Sequence, residues 1–378
     1  MSLKNKILLF VVNDPAFFLS HRLPLAVQAM KDGYTVHVAT DNGAAVDKII
    51  SMGFVFHYLP FNRSSVNPLK EIRTILLLFK LYLNIRPDIL HHVTIKPILY
   101  GSLVARLVRT PSVVNAISGL GYVFSGQGLK PRLFRIPVVI LYRIAFGHPN
   151  SIVIVQNKYD REMVLKHKWT TANNIRLIRG SGADLNLFRK TPEVAGVPII
   201  VLAGRLLWDK GVGVFVNAAA LLREQHINAR FVLVGNPDSG NPKCVPKYQI
   251  EKWVNEGLIE WWGFHSDMAK IFQQVHIVTL PTYYGEGVPK VLIEAAATGK
   301  PIVATDIPGC KEIVDDGVNG FLVSTHDEVV LSEALLKLIN DKNLRNQMGQ
   351  KSREKAEFGF SVDLVIKMTM DIYTELQI

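Results

Sequence analysis

The chain is poor in cysteine, in long apolar runs and, over its first half, in acid. Its two cysteines, Cys244 and Cys310, supply neither a zinc quartet nor a disulfide framework, and they read as buried or idle thiols of a reducing compartment. No window reaches the roughly 18–20 apolar residues that a spanning helix needs. The longest stretches, 75–83 and 136–146, are interrupted by Lys80 and Arg143. At the start, Ile7–Val12 is too short for the apolar core of a signal peptide and runs into Asn13-Asp14-Pro15. The expectation is a chain with no leader and no membrane span. Charged residues at 20% and aromatics at 9% of 378 residues exclude disorder, collagen and coiled coil, and the length predicts two domains.

The scarcity of acid is local. Residues 1–190 hold 25 Lys and Arg against 9 Asp and Glu, a net charge of +16; the remainder holds 18 against 23, a net of −5. Between Arg63 and Arg143 the acids are Glu71 and Asp88 alone. A half-molecule so cationic attracts polyanions: nucleic acid, anionic lipid or a phosphorylated acceptor. No nucleic-acid motif accompanies the charge, so nucleic acid is not an expected partner.

Short Val/Ile/Leu runs alternate with helical stretches along the chain. Strands are predicted at Ile7–Val12, Thr35–Thr40, Phe54–Leu59, Ile89–Val93, Val113–Ile117, Ile152–Gln156 and Ile175–Ile178, with helices at Phe17–Met30 and Ala44–Met52 among those between them. Turn residues gather from Gly180 to Pro198, and a second series follows. It has strands at Ile199–Ala203, Phe231–Val234, Glu260–Phe264, Ile277–Leu280, Ile302–Thr305 and Phe321–Val323, and helices at Val214–Arg223, Lys290–Thr298 and Asp363–Leu376. Near-continuous apolar strands separated by helices predict parallel sheets covered on both faces. The fold class is α/β, with two doubly wound, Rossmann-like domains facing across a cleft where the strand ends would bind ligand. The expected boundaries are 1–190, 191–360, and a terminal helix in 361–378 that packs back on the first domain.

Two segments of the second series carry chemistry. Glu286-Gly287-Val288-Pro289-Lys290-Val291-Leu292-Ile293-Glu294 spans a loop-to-helix junction with glutamates eight apart. Gly287 lets backbone approach a ligand, and Pro289 suits a first helical turn. Free N–H groups at a helix start attract an anion. Glu294 stands amid Leu, Ile and Ala; if buried it needs a partner, which a ligand's hydroxyls would provide. The plainer alternative is a surface carboxylate. The other segment is Gly204-Arg205-Leu206-Leu207-Trp208-Asp209-Lys210-Gly211, directly after a strand. There the Arg fork and the Lys point charge suit one diphosphate, two solvated cations being the alternative.

With these motifs the chain resembles the family 4 retaining glycosyltransferases of the two-domain GT-B fold, of the bacterial capsule, O-antigen and lipid-linked glycan type. The likeness is completed by Gly299-Lys300-Pro301-Ile302-Val303-Ala304, by Gly309-Cys310-Lys311-Glu312-Ile313-Val314 and by Asp316-Gly317-Val318-Asn319-Gly320-Phe321-Leu322-Val323. In the first domain it rests on Phe17-Phe18-Leu19-Ser20-His21-Arg22-Leu23-Pro24, on Leu90-His91-His92-Val93-Thr94-Ile95-Lys96-Pro97 and on Ser118-Gly119-Leu120-Gly121-Tyr122-Val123-Phe124.

The resemblance implies catalytic roles for Arg205, Lys210 and Glu286, the two cations on the diphosphate and Glu286 on the donor sugar. Gly204 and the backbone of Gly287, Val288 and Pro289 would complete the donor site, Glu294 would take the ribose hydroxyls, and Phe264 and His265 would sit against the base. Asn13, His21, Arg22, His92, Lys96, Ser118 and Gly119 are the acceptor-side candidates. The chain departs from the family in two places: Asn13-Asp14-Pro15 replaces a glycine pair, and Ser118 stands where a histidine is usual. His92 and His21 are the substitutes to consider, with a purely structural role as the alternative for each.

The resemblance further implies retention without an enzyme nucleophile, the departing phosphate being stabilised by Arg205 and Lys210 and accepting the acceptor's proton. No cofactor and no metal are expected, for the chain has no Asp-x-Asp motif, and Asp315-Asp316 before Gly317 reads as a turn. The expected donor is a UDP-linked N-acetylhexosamine. The expected acceptor is a polyprenyl-diphosphate-linked glycan at an anionic inner-membrane surface, which the basic and apolar mixtures at Arg63–Arg86 and Lys130–Arg143 would contact from the cytoplasm. The alternatives are a sugar-nucleotide 2-epimerase of the same fold and a non-catalytic nucleotide-sugar-binding subunit.

Overall fold

The computed structural model describes residues 6–61, 67–120 and 139–377. Two compact units divide them. Residues up to Ser181 together with Asp363 onward form one, and Gly182–Val362 form the other. The expected boundary at 190 therefore falls late by a short segment. Ala183 donates its N–H to the Phe360 carbonyl and accepts from the Val362 N–H, and Phe188 lies in the core of the second unit.

In the first unit the strands are β1 (Ile7–Val12), β2 (Thr35–Thr40), β3 (Val55–Tyr58), β4 (Ile89–Val93), β5 (Ser112–Ala116), β6 (Ser151–Val155) and β7 (Ile175–Leu177), hydrogen-bonded in the order β3-β2-β1-β4-β5-β6-β7. Each described pairing is parallel, with Val12 opposite Val93 and Val93 opposite Ala116. Strands β4, β5 and β6 are buried at every position, which is why they are mostly Val, Ile and Leu, with His91, His92 and Asn115 among the buried polar exceptions. On one face Leu8, Phe10, Val36 and Val114 share a core with Val365, Ile372 and Tyr373 of the terminal helix Val362–Glu375 and with Leu376 just past it.

The helix expected over Phe17–Met30 is two helices, Pro15–His21 and Leu23–Lys31. Pro24 lacks the N–H that a continuous helix would use and sits in the first turn of the second one. Arg22 forms the corner.

The second unit holds β8 (Ile199–Ala203), β9 (Arg230–Val234), β10 (Glu260–Gly263), β11 (Ile277–Leu280), β12 (Ile302–Thr305) and β13 (Gly320–Val323), in the order β10-β9-β8-β11-β12-β13 and again parallel. Its sheet separates two apolar clusters. Val201, Val278 and Ile302 face one, with Leu292 and Ala296; Ile200, Leu202 and Val303 face the other, with Phe215 and Leu335. The order reverses at β8, so the loops after β8 and β11 diverge there, which in such sheets opens a ligand crevice at the C-terminal strand ends.

Candidate functional site

A glycine stands at the C-terminal end of each of β8, β9 and β10: Gly204, Gly235 and Gly263. Gly204 follows β8 and donates its N–H to the Val234 carbonyl at 2.9 Å; Gly235 follows β9 and donates to the Gly263 carbonyl at 2.7 Å. Gly235 has φ 134°, and a Cβ there would overlap the Gly204 carbonyl oxygen, so only glycine permits this approach. Beyond the row, Phe264 is 69% exposed, and His265 Nε2 lies 3.0 Å from the Trp262 carbonyl oxygen.

The loops after β8 and β11 are tied together. Trp208–Lys210 form a short 3-10 turn whose Asp209 carbonyl accepts from the Tyr283 N–H at 3.0 Å. The Thr282 hydroxyl shares its hydrogen between that carbonyl, at 3.0 Å, and Glu286 Oε1, at 3.2 Å. Lys210 Nζ donates to the same Glu286 oxygen at 2.6 Å, and the two side chains are 18 and 15% exposed. The structure thus joins Lys210 to Glu286, which stand far apart in the chain. Arg205 takes another partner, its Nη1 donating to Asp238 Oδ2 at 2.9 Å on a half-exposed surface.

Past Glu286 the chain enters the helix Lys290–Ala297. Pro289 is the residue before the helix, with ψ 121°, and not the first-turn residue that the pattern predicted; its carbonyl already accepts from the Leu292 and Ile293 N–H groups. Val288 is buried in the core. Glu294 is 7% exposed, and its partner is Lys290 Nζ at 2.8 Å, one turn earlier. Burial raises its pKa, and the Lys290 charge opposes the rise. Gly309, in the helix Pro308–Ile313, lies directly beneath Gly287: a Cβ would overlap the Gly287 carbonyl oxygen. The next residue, Cys310, is fully buried; burial, reinforced by the Glu286 charge, pushes its thiol pKa up.

In the first unit, Asn13 follows β1, and Asp14 caps the next helix, its side chain accepting from the Phe17 N–H at 2.6 Å with Pro15 in the first turn. His21 stacks on Phe17 at 3.9 Å, and its Nδ1 lies 2.7 Å from the Ser20 hydroxyl. Arg22 is 6% exposed. Burial pulls its pKa down to about 10, and Nη1 donates to the His21 carbonyl.

His92 is fully buried, which corrects its candidacy. Its Nε2 lies 2.9 Å from the Tyr82 hydroxyl and its Nδ1 2.9 Å from Asn115 Oδ1, which also accepts from Ser102. Burial lowers its pKa to about 4, so it is a neutral core histidine. Lys96 Nζ pairs with Glu71 at 2.7 Å.

Ser118 stands just beyond β5 with its hydroxyl buried and without a hydrogen-bond partner, and Gly119 has φ 114°. The next N–H, of Leu120, donates to Asp160 Oδ1 at 3.4 Å, and burial raises the Asp160 pKa to about 6. Thr94, at the end of β4, has φ 74° and a second unpartnered hydroxyl. A β-branched residue in that region is strained. The sequence carries no signal for Asp238, and marks Thr94 only as part of a longer segment; Gly235, directly after an apolar strand, was findable. Gly121–Phe124, Arg63 and the basic residues 130–135 lie outside the described residues.

Residues 184–355 match the family described as glycosyl transferases group 1, and residues 6–157 the family described as glycosyl transferase 4-like. The chain belongs to the group 1, 4-like glycosyltransferases. The group 1 match contains all the donor-side candidates, and the 4-like match all the acceptor-side candidates. This glycosyltransferase is 29% identical, over 90% of its length and 93% of the relative's, to N,N'-diacetylbacillosaminyl-diphospho-undecaprenol alpha-1,3-N-acetylgalactosaminyltransferase of Campylobacter jejuni. It is 24% identical to UDP-Gal:alpha-D-GlcNAc-diphosphoundecaprenol alpha-1,3-galactosyltransferase of Escherichia coli, over 84 and 83% of the two chains. HepE of Anabaena, solved in complex with UDP, superposes with a TM-score of 0.77 at 20% identity, covering 98% of this glycosyltransferase and 100% of that chain. The fold is GT-B, built of two Rossmann-like domains.

Proposed function

We propose that the chain transfers an N-acetylhexosamine from a UDP-linked donor to a polyprenyl-diphosphate-linked glycan, with retention and without a metal, at the anionic inner face of a membrane. The observation that carries this reading is the Lys210–Glu286 pair at the tied strand ends. It sets an ammonium and a carboxylate side by side at 2.6 Å, one suited to a diphosphate oxygen and the other to sugar hydroxyls. The two curated relatives named above, whose names specify diphospho-undecaprenol-linked sugars, support the acceptor class. The UDP of the Anabaena structure supports the donor.

In this mechanism the bond between the sugar's anomeric carbon and the β-phosphate oxygen breaks, and the phosphate keeps the electron pair. Lys210 Nζ, turning from Glu286, stabilises the charge that develops there. Arg205, released from Asp238, adds a bidentate contact to the same diphosphate. The acceptor hydroxyl forms the new bond on the face that the phosphate leaves, and its proton passes to a phosphate oxygen. Glu286 orients the sugar, and Glu294, neutralised by Lys290, accepts from the ribose hydroxyls.

The test is transfer from UDP-N-acetylhexosamines to a short polyprenyl-diphosphate glycan in excess chelator, with the product's anomeric configuration read by NMR. Lys210→Ala is expected to lower kcat/KM by about 10²–10³, the usual loss for one transition-state charge contact. Inversion, or a strict need for Mg²⁺ or Mn²⁺, would overturn the mechanism.

A further inference from the structure

In the first sheet the strand order turns back between β1 and β4, which lie side by side, and such a reversal opens a crevice at the C-terminal strand ends. Asn13 follows β1 and Thr94 follows β4, with Val12 opposite Val93 in register, so the two residues stand at the edges of that crevice.

Thr94 is held there in a conformation that its own side chain opposes. Its φ of 74° and ψ of 167° fall in a region that is essentially glycine's alone. The other described non-glycine residues of positive φ lie at 51–59°, in the ordinary left-handed well. Thr94 is also the residue before the helix Ile95–Leu107, a place where a threonine hydroxyl ordinarily accepts from the second or third N–H of the helix. Here it makes no such bond; the third position is Pro97, which has no N–H. The hydroxyl is shielded from water and has no other partner.

Ser118 repeats the pattern one strand over. Val93 is opposite Ala116, so Thr94 lies one residue past its strand and Ser118 two past the next, the strands being about 4.8 Å apart. The Ser118 hydroxyl is likewise buried and unpartnered. Both residues are otherwise partly exposed, which leaves each hydroxyl one bond's rotation from solvent. Strain and unmet hydroxyls each cost stability; a ligand that hydrogen-bonds both hydroxyls offsets that cost only when it is bound. The chemistry on offer is neutral. Lys96, two residues on, has its ammonium on Glu71 at 2.7 Å, so the two hydroxyls suit a sugar and not its diphosphate.

We infer that Thr94, with Ser118, hydrogen-bonds hydroxyl groups of the acceptor's terminal sugar, and that the strained backbone of Thr94 is what aims its side chain at them. The inference rests on the proposed transfer and adds to it a residue that chooses the acceptor. A sugar lacking the hydroxyl that Thr94 holds leaves a buried group unpaired and is rejected.

Thr94→Val keeps the branched shape and removes the hydroxyl. Acceptor kcat/KM, measured with the short polyprenyl-diphosphate glycan, is expected to fall about tenfold or more, the range for a hydrogen bond whose partner is left unpaired. Thr94→Ser is expected to recover most of the loss. UDP affinity is expected to stay as in wild type, and Tm to hold or rise, since a methyl group in place of an unpartnered hydroxyl removes a cost. In a set of acceptors each lacking one hydroxyl of the terminal sugar, one analogue is expected to be used poorly by wild type and no worse by Thr94→Val, which marks the hydroxyl that Thr94 holds.

A fall in Tm together with an equal loss for every analogue assigns Thr94 to packing and overturns the inference, as does an unchanged kcat/KM. Wild type that transfers no sugar removes the proposed function. Saturation-transfer NMR of the same glycan then decides the inference, which stands if Thr94→Val abolishes binding and falls if the two proteins bind alike or wild type does not bind.

Discussion

Asp160 shows how one buried carboxyl couples the first unit to pH. It accepts from the Leu120 N–H and from the Asn157 side chain, yet burial raises its pKa from 3.8 to about 6. An acid whose folded pKa is raised holds its proton more tightly in the folded state. Its contribution to stability is therefore complete below about pH 4 and lost as pH rises to about 6. A shift of this size corresponds to roughly 3 kcal/mol. Chemical denaturation of wild type and Asp160→Asn at pH 4 and pH 6.5 is expected to show the fall in the wild type and its absence in the variant; equal slopes would refute it. Nothing in the sequence marks Asp160, because its environment comes from Leu120 and Asn157 closing around it. Glu294 is the opposite case: its apolar neighbours in the chain announce burial, while its ion pair with Lys290 one turn back emerges only from the folded helix.

At the scale of elements, legibility follows burial. Strands β4, β5, β8, β11 and β12 are buried at every position and mostly apolar because helices cover both faces, and they are readable to within a residue or so. The helix Lys342–Gly359 was not. Its inward residues are Arg345, Met348, Gly349, Ser352 and Ala356, and Gly349 lies so close to Gly299 that a Cβ would overlap the Gly299 carbonyl oxygen. A helix that packs backbone on backbone shows no hydrophobic period. The loop motifs around Lys210 and Glu286 were legible as chemistry, but their tie through Thr282 and Asp209 was not, since it depends on two strands meeting.

The same close packing sets a test for the donor loop. Gly309→Ala places a methyl group where the Gly287 carbonyl stands, so the Glu286–Pro289 segment has to move. UDP affinity is expected to fall at least tenfold, with a loss of about 1–3 kcal/mol in stability from overpacking. Calorimetric titration of UDP measures the first and denaturant unfolding the second, and unchanged affinity would mean that the loop's position does not matter to the donor.

The whole molecule offers two cores that can be perturbed separately. Tyr373 is fully buried in the first unit, its hydroxyl 2.6 Å from His91 Nδ1. Tyr373→Ala is expected to cost about 3–5 kcal/mol, the usual loss for a large aromatic. Differential scanning calorimetry with and without UDP separates the units: the transition that UDP raises is expected to stay in place, while the other moves down. If both fall together, the units unfold as one.

The chain leaves the first unit at Ser181 and re-enters it at Asp363. In order of synthesis this makes the second unit an insertion, every residue of which precedes the last part of the first unit's core. Val365, Ile372, Tyr373 and Leu376 reach the solvent long after the strands they cover, so the half of the protein that is made first is the half that closes last. Until then, Phe10, Val36 and Val114 wait with part of one face of their sheet uncovered, although Phe18, Leu25, Ala29 and Ile49 already lie on it, and that interval, more than any weakness of the finished fold, is when a nascent chain of this kind is exposed to aggregation and to chaperones.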